Sequence, residues 1–173
     1  MDVAARLRAE RDRLVADRSL RGVAFGAALA DLCDATIAGV AEGLKVRGRW
    51  AVVAQGSYAR RELCPGSDLD VVFLHSGGVK GAAATEVAAS LWYPFWDAGV
   101  DLGNATRSAK EAVALADEDL DALTATLDLR VVAGDVGFAL GVRDRVRALA
   151  RKRRDRVVEQ LHEASSARYV RPG

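Results

Sequence analysis

The chain has 173 residues, 50% of them hydrophobic and 28% charged, with a formal net charge of +1. That length can bury the core of one domain, and the composition excludes a disordered chain. Near-neutral charge gives no sign of a nucleic-acid or membrane partner, no apolar run reaches the roughly 18 residues of a membrane span, and two scattered cysteines without a secretory leader point to a reducing cytoplasm.

Residues 2–18 place Val3, Leu7, Leu14 and Val15 close to helical spacing, with acids and bases alternating between them. A more buried helix is expected over 24–46, where Leu29, Leu32, Ile37, Val40 and Leu44 form a stripe interrupted by glycines. "WAVVAQ" (50–55) reads as a short buried strand and 57–63 as a short helix. "CPGSD" is a turn centred on Pro65 and Gly66, and "LDVVFLH" (69–75), rich in β-branched and aromatic residues, is the strongest strand. Residues 80–97 look helical with a bend near Pro94, and the aromatic residues Trp92, Tyr93, Phe95 and Trp96 are assigned to the core. A third strand is expected over 98–107. Ser108, with Glu111 three residues on, has the form of a capping box for the next helix. Asp119 to about Val132 is read as a helix closed by "AGDVG", and a last helix runs from about Phe138 to Ala167. Its basic run "RKRRDR" (151–156) fits a solvated helix face or a docking face for a further domain. The order of elements predicts an α/β (α+β) domain with a small sheet.

Two features exceed what packing needs. Asp68 and Asp70 flank Leu69 where the strongest strand begins. Residues two apart in a strand share a face, about 6–7 Å apart at the backbone, so both carboxylates project together while Leu69, Val71 and Phe73 face the other way. Such a pair can hold hard divalent ions, and paired catalytic metals sit about 3.5–4 Å apart. The plainer alternative is that both aspartates finish the turn and stay in water. The second feature shifts that balance: Gly56 ends the preceding strand and Ser57 opens a short helix, where backbone N–H groups lack internal acceptors and suit a phosphate. No P-loop or dinucleotide-binding glycine pattern is present, and His75 and His162 offer little for a histidine triad or a zinc site.

Gly56-Ser57 followed by Asp68-Leu69-Asp70 resembles the signature of the DNA polymerase beta-type nucleotidyltransferase superfamily. "GSYARRELCPGSDLDVVFLH", "LWYPFWDAGVDLGNATRS" and "DLDALTATLDLRVVAGD" resemble, in order and spacing, the N-terminal nucleotidyltransferase domain of bacterial PII uridylyltransferases. Relatives of that kind usually read Gly-Gly-Tyr-Gly-Arg at 56–60 and often Gly-His-Ser-Val-Arg at 103–107. The resemblance implies the small mixed sheet of the nucleotidyltransferase fold, with N-terminal helices over 1–48, a core over 49–135 and a C-terminal helix over 136–173 that leads into further domains. It implies Mg²⁺-dependent transfer of UMP, or AMP, from UTP or ATP to a hydroxyl, expected to be a tyrosine's, of a PII nitrogen-regulatory protein in the cytoplasm. Two Mg²⁺ ions are expected, with Mn²⁺ as the substitute. Another protein or small-molecule acceptor, and a silent module that only binds nucleotide or a partner, are the alternatives.

On this reading Asp68 and Asp70 bind the metals, and Asp101 is the candidate third carboxylate, as ligand or base. Gly56 and Ser57 cradle the β- and γ-phosphates. Arg60 or Arg61 neutralises the leaving pyrophosphate, unless Arg60 simply pairs with Glu62. Ser67 either closes the turn or touches the triphosphate, the structural role being favoured. Arg107 is expected to meet the nucleotide or a phosphate. Asp128 and Arg130, in the shared "LDLR" segment, are expected to brace different neighbours.

Overall fold

The structure, a computed structural model, describes residues 2–79 and 82–169. Two helices, α1 (Val3–Ala16) and α2 (Val23–Ala41), precede β1 (Trp50–Ala54), the one-turn helix α3 (Gly56–Ala59) and β2 (Leu69–His75). Then come α4 (Ala82–Asp97), β3 (Leu102–Ser108), α5 (Ala109–Glu118), α6 (Leu120–Leu127), β4 (Arg130–Gly134), α7 (Val136–Lys152) and α8 (Arg154–Tyr169). The start of the helix expected over 80–97 and the last four residues, 170–173, lie outside the described residues.

The four strands form one mixed sheet in the order β3-β2-β1-β4. β1 runs antiparallel to β2 and β4, whereas β2 and β3 are parallel. The α/β class and the small mixed sheet are therefore as expected. β2 is apolar on both faces because both are covered. Leu69, Val71 and Phe73 join α1, α2 and α4 in the larger core, while Val72 and Leu74 pack with α5 and α7 on the other side.

Local chemistry starts the helices of the second face. Ser108 Oγ accepts from the Glu111 N–H while Glu111 accepts from the Ser108 N–H, so the capping box forms as expected. Asp119 and Asp135 cap α6 and α7 by accepting from Ala122 N (2.7 Å) and Phe138 N (2.8 Å). Asp135 is also gripped by Arg49 through two bonds of 2.7 and 3.1 Å, and this guanidinium pulls its pKa down to about 2.

Four readings of the sequence are corrected. The helix expected from Asp119 to Val132 stops at Leu127, and Arg130–Gly134 is the edge strand β4, paired to β1. The last helix is broken at Arg153, whose side chain turns to Asp117. Of the four aromatic residues on α4, Trp92 and Phe95 are buried, but Tyr93 and Trp96 are exposed and meet edge to face. Finally, α2 is long and apolar enough to cross a membrane by length and composition, with a mean hydropathy of 1.6. Its buried stripe of Phe25, Leu29, Cys33 and Ile37 instead packs in the larger core.

Candidate active site

The turn between β1 and α3 and the start of β2 are tied together by the backbone, since Gln55 N–H donates to Asp70 C=O (2.8 Å). Asp70 sits opposite Gly103 in the β2–β3 ladder. Its carboxylate lies between two glycines. A Cβ on Gly103 would fall 2.5 Å from Asp70 Oδ1, and one on Gly56, at φ +55°, would fall 2.9 Å from Oδ2. The missing side chains at 56 and 103 are thus the space the Asp70 carboxylate occupies.

Burial pushes the Asp70 carboxyl above its usual pKa, and the neighbouring Asp68 charge adds to the shift. The two aspartates are close enough to feel each other, as their alternation in sequence predicts. Asp68 is exposed and Asp70 half-buried. Leu69 points into the core between them.

Asp101 precedes β3 and is exposed; its carbonyl accepts from Leu69 N–H (3.0 Å), which places the start of β3 alongside the aspartate pair. Among the described residues no group of three or more His, Cys, Asp and Glu side chains is assembled to hold a metal. The structure therefore brings Asp68 and Asp70 together with Gly56 and leaves the Asp101 side chain outside a three-carboxylate cluster.

Gly56 and Ser57 are the first residues of α3, half-buried beside Asp70. Ser67 closes the next turn: its hydroxyl accepts from Cys64 N–H (2.9 Å) and its N–H donates to Cys64 C=O (3.0 Å). Arg60 pairs with Glu62 (2.8 Å) and Asp128 (3.1 Å). Arg61, at φ +62°, turns to α2, meeting Asp31 (2.7 Å) and Ala27 C=O (3.2 Å). Arg107 lines a small cavity with Gln55 and Val72 on the sheet face that carries Asp70.

Sequence reasoning missed what holds the turn. Arg130, the first residue of β4, donates Nε to Ala59 C=O (3.1 Å) and Nη2 to Tyr58 C=O (3.2 Å). Asp34 of α2 fixes that guanidinium through Nη1 to Oδ2 (2.6 Å) and Nη2 to Oδ1 (3.1 Å), and accepts from Tyr58 Oη (2.7 Å). Arg130 also lies over the Tyr58 ring, 5.3 Å from its centroid. Asp128 and Arg130 thus brace different parts of α3, one through the Arg60 side chain and the other through backbone carbonyls. The available signal was an aspartate inside the most apolar helix, which needs a partner to be buried there.

A bifunctional uridylyltransferase/uridylyl-removing enzyme of Streptomyces coelicolor is 36% identical over 166 residues, covering 95% of this chain and 20% of its own length. Namesakes in Mycobacterium tuberculosis and Corynebacterium glutamicum are 40% and 37% identical over 76% and 71% of this chain, and 16% and 17% of their own lengths. The chain belongs, with them, to the nucleotidyltransferase superfamily. No family model matches. The chain spans about a fifth of the length of these curated relatives. Within this nucleotidyltransferase frame, the aspartate pair on β2 and the Gly-Ser turn beside it are the candidate site, and the Asp34–Arg130–Tyr58 cluster holds that turn.

Proposed function

We propose that this domain transfers UMP from UTP to a tyrosine hydroxyl of a PII-type protein in the cytoplasm. The observation that carries the reading is Asp70, its carboxylate lodged between the Gly56 turn and Gly103 with Asp68 beside it. An ionised, part-desolvated carboxylate facing a second one calls for a cation, and two hard oxygen donors on a rigid strand suit Mg²⁺, or Mn²⁺ in its place. Asp68 and Asp70 would hold the ions. Bound there, Mg²⁺ supplies neutralisation of the phosphates and activation of the attacking oxygen.

The chain's own groups divide the remaining work. The Gly56 and Ser57 N–H groups and the Ser57 hydroxyl receive the β- and γ-phosphates, because the opening residues of a helical turn have no internal acceptors. Arg60 is exposed, and exchanging its surface pairs for pyrophosphate costs little, since such pairs are worth at most about 1 kcal/mol. Arg61 shapes the turn through α2, and Ser67 closes the loop that leads into Asp68. Arg107 faces the nucleotide from β3. Asp101 acts as the base. The acceptor oxygen bonds to the α-phosphorus, the bond to the β-phosphate oxygen breaks, pyrophosphate leaves, and the hydroxyl proton passes to Asp101 and then to water.

Calorimetric titration of UTP and of ATP, each with and without Mg²⁺, tests the site. Binding of UTP that requires Mg²⁺, exceeds that of ATP and is lost in Asp70→Asn is expected. Absence of metal-dependent binding of either nucleotide would leave a silent module, and preference for ATP would replace UMP by AMP as the transferred group.

A further inference from the structure

Gln55 joins the two halves of the proposed site: it follows the last residue of β1 and immediately precedes Gly56. Its N–H donates to Asp70 C=O (2.8 Å), which continues the antiparallel register in which Ala54 meets Val71. At φ −130° and ψ 172° its backbone is still extended. Side chains alternate along a strand, so Gln55 shares the face of Asp70 and Val72. Residues directly opposite in an antiparallel pair have Cβ atoms about 4.5–5.5 Å apart. On that face Asp70 is flanked by Gln55 from β1 and, from β3, by Gly103, which has no side chain.

The fold gives the Gln55 carboxamide nothing to do. It holds the N-cap position of α3 without bonding to that helix, and among the described residues its side chain has no hydrogen-bond partner. Yet it is half-buried, in the wall of the small cavity that Arg107, Leu115, Leu129 and Val142 also line. A polar group taken out of water costs stability unless something pairs with it, and an apolar side chain of similar size would close this wall without that cost.

We propose that Gln55 is a catalytic residue of the transfer, its NH₂ group donating to a non-bridging oxygen of the α-phosphate. The inference rests on the function proposed above and adds a residue to it. With the metals on Asp68 and Asp70 and the β- and γ-phosphates on Gly56 and Ser57, the α-phosphate falls between the two, beside the residue that joins them. Arg107 offers the cavity side donors only, so the amide oxygen turns towards it and the NH₂ group towards the site. As the acceptor oxygen bonds to the α-phosphorus and the bond to the β-phosphate oxygen breaks, charge spreads over the equatorial oxygens. A fixed donor to one of them is worth more in that state than in the ground state. No proton leaves the amide, and Asp101 remains the base.

Gln55→Leu in the full chain removes the donor and keeps the volume. Transfer of labelled UMP to a PII-type protein is measured alongside Mg²⁺-UTP binding by calorimetry and the thermal midpoint. The expected result is a kcat about a hundredfold lower, the loss typical of one transition-state donor, with the UTP Kd within about threefold. Gln55→Glu, which keeps the shape and puts acceptors where the donors were, should lose at least as much and serves equally if the leucine variant melts early. The two diastereomers of UTP with sulfur on the α-phosphate give a readout that a merely structural role would not move. In the native chain, sulfur at the oxygen that meets Gln55 slows transfer. In Gln55→Leu that diastereomer and UTP should be transferred at rates within about twofold of each other. Unchanged kcat in a folded variant overturns the proposal, as does a Kd that weakens in step with kcat, or a sulfur effect as large in the variant as in the native chain. A native chain that binds no UTP, or binds it and transfers nothing, overturns the underlying function instead.

Discussion

A carboxylate that loses water on folding and faces a second carboxylate is less stable ionised than it was in the unfolded chain. Asp70 is in that position, its pKa raised first by burial and then by Asp68. The sign follows directly. Its contribution to stability is fully present below the ordinary carboxylate value and is lost as pH rises through the higher folded value, so at neutral pH ionised Asp70 opposes folding. Asp70→Asn is therefore expected to abolish transfer yet raise the metal-free unfolding midpoint at pH 7 by about 1–3 °C. Mg²⁺ should raise the midpoint of the native chain and not that of the variant, which scanning calorimetry checks. A lower midpoint in Asp70→Asn would mean that the carboxylate has a structural partner. The neighbouring glycine gives a complementary result. Gly103→Ala would put a methyl group 2.5 Å from Asp70 Oδ1, so Asp70 must move. Because the change is on the surface of β3, the expected effect is at least about a tenfold loss of kcat/KM with less than about 1 kcal/mol lost in stability.

At the scale of elements, three segments far apart in sequence meet at α3: Asp34 from α2, Arg130 from β4, and the turn itself. The guanidinium fork satisfies two carbonyls and one carboxylate together, a geometry lysine cannot reproduce. Removing one member of a fully buried pair costs about 3–5 kcal/mol; here both partners are about a quarter exposed, so Asp34→Ala is expected to cost about 2 kcal/mol. Arg130→Lys should lose less stability but raise the UTP KM, since the turn then loses the fork on Tyr58 and Ala59. Denaturant melts and steady-state kinetics separate the two effects. The same elements show what was legible in the sequence. β2 and the capping box at Ser108 were readable because their signals are local, an apolar β-branched run and a four-residue hydrogen-bonding pattern. β4 was not, because Leu120, Leu123 and Leu127 set a helical period that "RVVAG" does not visibly break. What makes Arg130–Gly134 a strand is pairing with β1, nearly eighty residues earlier, which no local window contains. The aspartate pair was legible for the same reason as β2. The Arg130 support depends on that distant pairing and was hidden with it.

The described residues form a sheet covered on both faces, and the proposed site lies where β1, β2 and β3 present their ends. Helix α8 stands apart from that arrangement. Its Val157 packs against the small cluster of Ala116, Leu123 and Val146, while Val158 and Leu161 are exposed. Arg153, just before it, already anchors the end of α7 to Asp117. Elements with few buried apolar contacts open locally at little cost, whereas the two-faced core opens only with global unfolding. A chain ending at Arg153 is therefore expected to fold, with an unfolding midpoint lowered by no more than about 2–4 °C, equivalent to roughly 1 kcal/mol. Its Mg²⁺-UTP affinity should match that of the full chain within about twofold, because among the described residues α8 packs mainly on α6 and α7 and not on the strands that carry the proposed site. Hydrogen exchange in the intact chain should likewise show α8 amides exchanging well before those of β1 and β2. Loss of cooperative melting on truncation, or α8 amides as protected as those of β2, would place α8 in the core unit and make the sheet's second face depend on it.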